Sequence, residues 1–159
     1  MDNVFDFLKK LNISYEVYNH PAVFTVEESK QHRIGSGFGE NKNLFLRNNK
    51  GNKHYLITIS SSKKLDIDNL AKILGEKSLG FASEERLKKY LNLTPGSVSP
   101  FGLVNDANKE VIFVFDRDLL KYNKLGFHPN INTQTVIIST DDFKKFIEST
   151  GNKTLYLDL

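Results

Sequence analysis

The sequence predicts a mixed α/β fold, α+β in its connectivity, with helices packed around a mixed β-sheet. Three observations carry this. "VIFVFD" at 111–116 is an almost unbroken apolar run, as in a strand covered on both faces. The N-terminal "VFDFLKKL" and the late "TDDFKKFIESTG" place their apolar residues at helical intervals. Strands and helices are interspersed without strict βαβ alternation, which favours a mixed sheet over a doubly wound parallel one.

Taken in order, Val4, Phe5, Leu8 and Leu11 share one helical face, so the chain opens with a helix of about ten residues. "SYEVYNH" alternates like a strand and stops at His20-Pro21. Thr25 and Glu28 have capping-box spacing and open a short polar helix to about Arg33. "GSGFGE" at 35–40 fits neither G-x-G-x-x-G nor the P-loop pattern and reads as a connector or lid. Strands at about 43–47 and 53–59 flank an Asn/Lys/Gly turn. Asp66 caps the next helix and Gly75 ends it. "LGFAS" is a short strand entering a helix capped by Ser83, with Leu87, Tyr90 and Leu91 on its inner face. "TPGSVSPFGLVND" is irregular, "TVIIS" is a strand, and the final helix closes at Gly151. No repeat or linker divides the chain, so one domain over 1–159 is expected.

Composition bounds the function. At 159 residues, with 39% hydrophobic and 26% charged, the chain can bury a core and is unlike a disordered segment. No apolar run approaches the roughly 20 residues of a membrane span. "MDNVFDFLKK" lacks the basic start of a signal peptide, so a cytoplasmic location is expected. The absence of cysteine removes disulfides, thiolate catalysis and Cys-rich zinc sites. The net charge of +3 permits weak, salt-sensitive nucleic-acid contact without demanding it. The lysine pairs at 9–10, 63–64, 88–89 and 144–145 read as solvated faces.

His20, His32, His54 and His128 are the four histidines, and none has a partner at H-x-H or H-x-x-x-H spacing. No metal and no cofactor is expected. The G-x-S-x-G elbow of serine hydrolases is missing. Glu84-Glu85 and Asp141-Asp142 fall in first helical turns, where they complement the helix dipole. Three stretches remain. In "ENKNLFL", Lys42 and Asn43 stand at the mouth of an apolar strand, a place that also suits a solvated lysine. In "TPGSVSPFGLVND", two prolines, two glycines and two serines within eight residues fix a loop and leave N–H groups for a ligand. In "GFHPNINT", Gly126 lets the chain bend and Pro129 fixes φ around His128, followed by Asn130 and Asn132. A hydrogen-bonded structural turn would read the same way.

Together, "KNLFL", "FASEERL", "TPGSVSPFGLVND" and "FHPNINTQT", in this order, resemble the YbaK-like family that includes the editing insertion of bacterial prolyl-tRNA synthetases. Within it the likeness is to freestanding Ala-tRNA(Pro) deacylases of the ProX/PrdX type, over essentially the full chain. The resemblance implies a partly rolled mixed sheet and a cleft for the aminoacylated 3′ end of a tRNA. It makes Lys42 the residue most tied to activity and Asn43 a substrate contact. The family's G-x-x-x-P loop falls on Gly96, Ser97, Val98, Ser99 and Pro100, and the histidine of its HP turn is His128, flanked by Phe127 and Asn130. "HRIGSGFGE" matches the family less clearly.

The implied partners are mischarged tRNA(Pro) and, beyond it, prolyl-tRNA synthetase, with no membrane contact and a monomeric chain. The expected reaction is hydrolysis of Ala-tRNA(Pro), without metal or protein nucleophile. Alternatives are a deacylase for Cys-tRNA(Pro) or another misacylated tRNA, and a non-catalytic tRNA-binding module. An activated ester needs orientation and oxyanion stabilisation more than a strong nucleophile. Lys42 would hold phosphate or developing charge. The base would be the ribose 2′-hydroxyl or His128, an imidazole with a reference pKa of about 6.5. Leu44, Phe45, Val98 and Phe127 offer an apolar wall to admit alanine and exclude proline. Activity is expected to survive chelators and thiol reagents, and loss with EDTA restored by zinc would contradict this.

Overall fold

The computed structural model describes residues 4–19, 38–131 and 133–159. In chain order these form α1 (Val4–Lys10), β1 (Glu16–Asn19), β2 (Asn41–Asn48), β3 (His54–Ser60), α2 (Ile67–Leu74), β4 (Leu79–Phe81) and α3 (Glu84–Leu91). A 3₁₀ helix (Pro100–Asn105), β5 (Val111–Asp116), a second 3₁₀ helix (Arg117–Lys121), β6 (Lys124–Phe127), β7 (Gln134–Ser139), α4 (Thr140–Thr150) and β8 (Thr154–Leu157) follow. The capping box at Thr25 and Glu28, His20, His32, Gly35–Gly37 and Asn132 lie outside the described residues.

The helix ends form where the local chemistry places them. Asp66 accepts the Asn69 N–H, Ser83 that of Arg86 and Ser139 that of Asp142, each relieving an unpaired donor of a first turn. Gly75 and Gly151 close α2 and α4 in the left-handed conformation.

The strands divide into two sheets. One has the order β4-β2-β3-β5-β8, antiparallel around β2 and parallel from β3 to β5 to β8. The other, β1-β7-β6, is antiparallel throughout. A bridge from Gly39 to Leu125, with the Gly39 N–H donating to Lys124 O at 2.8 Å, joins them. The rolled sheet thus takes the form of two sheets meeting beside β6.

Between them lies the main core, with Phe45 and Leu56 on one sheet, Leu125 and Val136 on the other, and Phe113, Phe115, Phe143 and Phe146 among them. A second cluster fills the opposite face of the larger sheet, where Leu46, Ile57 and Val114 meet Leu70 of α2. β5 contributes to both, in agreement with its unbroken apolar run.

Two strands depart from the expectation. β6 occupies residues read as a turn, and β8 was not anticipated. Lys63 also departs, since it is no solvated face: its Nζ pairs with fully buried Asp116 at 3.0 Å and with Asp118 at 2.6 Å.

His54 opens β3 and is only 2% exposed. Its ring lies 5.6 Å from that of Phe45 and 4.1 Å from that of Tyr90, and Arg86 Nη1 donates to its Nε2 at 2.9 Å. Burial, then the Arg86, Lys89 and Arg47 cations, lower its pKa to about 4. An unfolded histidine titrates at about 6.5, so between these values the unfolded state binds more protons and stability rises with pH. Stability is therefore expected to be full above about pH 6.5 and to fall as pH drops towards 4, by up to about 3 kcal/mol. Urea midpoints across that window, with an NMR titration of the His54 ring, provide the check; ring protonation near 6.5 would contradict it.

Candidate active site

Successive residues of β2 point to opposite faces. Phe45 lies in the main core, which places Asn43 and Asn41 on that side, while Leu44 packs against the second cluster and shares its face with Lys42. Lys42 and Asn43 therefore project from opposite faces, and a ligand touching both must straddle the strand edge. β4 pairs only with Leu46–Asn48, so among the described residues no strand covers that edge at Lys42. Lys42 is half-buried, lies across from Ile59, and its side chain makes no hydrogen bond or ion pair among the described residues. The same alternation corrects the expected apolar wall, because Leu44 and Phe45 cannot line one surface.

On the core side, polar groups run from β3 to β6. The Thr58 hydroxyl donates to Asn43 Oδ1 at 2.5 Å, and Asn43 Nδ2 donates to Asn41 Oδ1 at 3.1 Å. Asn41 Nδ2 in turn donates to Gly39 O at 3.0 Å and Gly126 O at 3.1 Å. Gly126 does not supply the expected bend, since its φ is not positive. Its lack of a side chain instead admits the Phe38 ring, from which a Cβ there would lie 2.7 Å.

The loop at 96–100 is held from both ends. Gly96 adopts φ 86°, a left-handed conformation suited to glycine, and the Ser97 N–H donates to Thr94 O at 3.1 Å. Ser97 is buried, while Ser99 is fully buried and caps the first 3₁₀ helix, its Oγ accepting from the Phe101 N–H at 3.1 Å. The Ser99 side chain is thus a structural element of the loop. Among the described residues the N–H groups of Gly96, Val98 and Ser99 have no hydrogen-bond partner. Buried Pro100 starts the helix, and Phe101 meets the ring of Phe127 edge-on at 5.7 Å, fastening the loop to β6.

His128 stands at the mouth of the β6–β7 hairpin, half-buried. Its Nδ1 lies 3.0 Å from Gln134 O. A carbonyl only accepts, so Nδ1 carries the proton and the neutral ring has its lone pair on Nε2. Pro129 is buried behind it. Asn130 adopts φ 65°, and its Oδ1 is buried without a hydrogen-bond partner among the described residues. Phe127 is only 3% exposed and stacks on Phe143 at 4.5 Å. It cannot be a side-chain contact for substrate; it anchors the strand that carries His128.

Three separate stretches thus meet on β6: the start of β2 through Asn41 and Gly126, the G-x-x-x-P loop through Phe101 and Phe127, and the HP turn itself. Asn41 and Thr58 were missed in the sequence, although Asn41 and Asn43 two apart in a strand is the period that puts polar groups on one face. Among the described residues, no three His, Asp or Glu side chains gather as a metal site, and no helix is long and apolar enough to cross a membrane.

Comparison with known proteins gives this arrangement its family. Residues 20–146 match the model of the aminoacyl-tRNA editing domain. The prolyl-tRNA editing protein ProX of Acetoanaerobium sticklandii is 41% identical over 152 residues, covering 96% of this chain and 93% of that protein. The prolyl-tRNA synthetase associated domain-containing protein 1 of Bos taurus is 36% identical over 155 residues, covering 95% and 90%. The crystal structure of a candidate trans-editing enzyme for prolyl tRNA synthetase superposes with a TM-score of 0.72 at 21% identity, over 97% of this chain and 93% of that one, and shares the fold. The chain belongs to the aminoacyl-tRNA editing domain family, whose reaction is the deacylation of aminoacyl-tRNA.

Proposed function

We propose that the chain, as one domain, removes alanine from mischarged Ala-tRNA(Pro) in trans, in the cytoplasm, as a monomer acting beside prolyl-tRNA synthetase. The observation that supports this reading is the meeting on β6 of the start of β2 through Asn41, the 96–100 loop through Phe101, and the turn that carries His128, in a chain 41% identical to a prolyl-tRNA editing protein. The substrate ester supplies its own activation, so the site has to orient a water and stabilise an oxyanion.

In this reading the 3′-terminal adenosine lies along the open edge of β2. Lys42 meets a phosphate or the developing negative charge, and Asn43 meets the ribose end from the other face. The unpartnered N–H groups of exposed Gly96 and half-buried Val98 face the carbonyl oxygen as it becomes an oxyanion. Water adds to the carbonyl carbon and gives its proton to His128 Nε2, or to the ribose 2′-hydroxyl as that group passes its own proton on to the 3′-oxygen. The tetrahedral intermediate then collapses, and the ribose 3′-oxygen leaves and takes a proton, giving alanine and free tRNA. Selectivity comes from exclusion, because one missing methylene alters binding by only about 1–3 kcal/mol, too little for a synthetase to reject alanine.

The test is a charging reaction in which prolyl-tRNA synthetase is given tRNA(Pro) and alanine. Ala-tRNA(Pro) is expected to accumulate without this protein and to stay near background with it. If cysteine supplied in place of alanine were the only mischarge cleared, the Cys-tRNA(Pro) reading would replace this one. If neither were cleared, the chain would act as a non-catalytic tRNA-binding module.

A further inference from the structure

The orientation of every amide between β3 and β6 is fixed by chemistry. Gly39 O and Gly126 O can only accept, so the nitrogen of Asn41 must face them and its oxygen must face Asn43. Asn43 must then present its nitrogen to Asn41 Oδ1 and its oxygen to Thr58. Thr58, fully buried, is left as the donor. No flipped arrangement satisfies all of these groups.

The geometry points to Thr58 and Asn41 as positioning residues that make Asn43 a hydrogen-bond donor towards substrate. Asn43 Oδ1 is occupied by the Thr58 hydroxyl and one Nδ2 hydrogen by Asn41, which leaves the second hydrogen to a ligand oxygen. Asn43 is half-buried, on the core side of the β2 edge that no strand covers among the described residues. The group it selects is an acceptor oxygen of the aminoacylated ribose, an assignment that rests on the proposed deacylase function. The same relay fixes β2 against β6, since Gly126 lies two residues before His128, so a shift of Thr58 reaches both halves of the site. The Thr58 hydroxyl, on a residue between Ile57 and Ile59 and across from Phe115 of β5, has no hydrogen-bond partner other than Asn43 among the described residues.

The experiment compares Thr58→Val, of nearly the same shape without the hydroxyl, with Thr58→Ser, which keeps it. Single-turnover deacylation of Ala-tRNA(Pro) is read beside the melting temperature and the Asn43 side-chain NH₂ signals of ¹⁵N-labelled protein. Thr58→Val is expected to stay folded, lose about 10- to 100-fold in rate with little change in half-saturation, and shift the Asn43 amide pair, while Thr58→Ser stays within a few-fold of wild type. An unchanged amide pair in Thr58→Val, or a serine variant as impaired as the valine one, overturns the proposal. Should Thr58→Val fail to fold, Asn41→Ala releases the same amide from its other side, with the same readings required. A wild type that hydrolyses no aminoacyl-tRNA refutes the deacylase reading, and the amide signals still decide the relay.

Discussion

Lys42→Ala is expected to slow single-turnover deacylation by about 10²-fold or more while leaving the fold intact, the scale for removing one donor from an oxyanion or phosphate site. The side chain is half-buried at the start of β2, and its loss breaks no hydrogen bond or ion pair among the described residues. Such substitutions usually alter stability by about ±0.5 kcal/mol. Lys42→Arg should restore only part of the rate, because a planar guanidinium does not fill the place of a compact ammonium. His128→Ala divides the two candidate bases: a loss as large as that of Lys42→Ala favours the imidazole, a smaller one the ribose 2′-hydroxyl. Rates and melting temperatures for the three variants check the set. An unfolded Lys42→Ala protein would make the residue structural, and a folded one at wild-type rate would remove it from the mechanism.

The largest effect on stability is expected at Asp106. Only 3% exposed, it accepts the Val111 N–H at 2.8 Å, the Glu110 N–H at 3.2 Å and Asn152 Nδ2 at 2.8 Å. These bonds hold the end of the 3₁₀ helix to the start of β5 and to the turn before β8. Asp106→Ala leaves buried donors without acceptors and should cost about 3–5 kcal/mol. Asp106→Asn keeps one acceptor and turns an NH₂ against the remaining donors, so it should fall between alanine and wild type. Denaturant midpoints of the three proteins test this, and an alanine variant within about 1 kcal/mol of wild type would contradict it.

What could be read from the sequence was local. The caps at Asp66, Ser83 and Gly151, and the doubly covered β5, follow from chemistry within a few residues. β6 and β8 are four residues each and too short to show a period, and β6 carries a glycine that reads as a turn. The division into two sheets depends on β1 pairing with β7 across more than a hundred residues, which no local pattern encodes. At the site, the resemblance indicated which stretches meet but not which way their side chains point. Phe127 looked like a pocket wall because an aromatic beside a histidine suits either role; its stacking on Phe143 assigns it to the core. Leu44 and Phe45 are different, since alternation alone already separates their faces. Thr58 was hidden because a threonine in an apolar strand looks like ordinary β-propensity until Asn43 is placed opposite it.

The most direct measurement is single-turnover hydrolysis of Ala-tRNA(Pro) and Pro-tRNA(Pro), prepared on the same tRNA(Pro) and mixed with equal excess of the protein. The alanyl ester is predicted to disappear far faster than its uncatalysed rate while the prolyl ester decays as it does in buffer. Equal cleavage of both, or protection of both, would contradict the account.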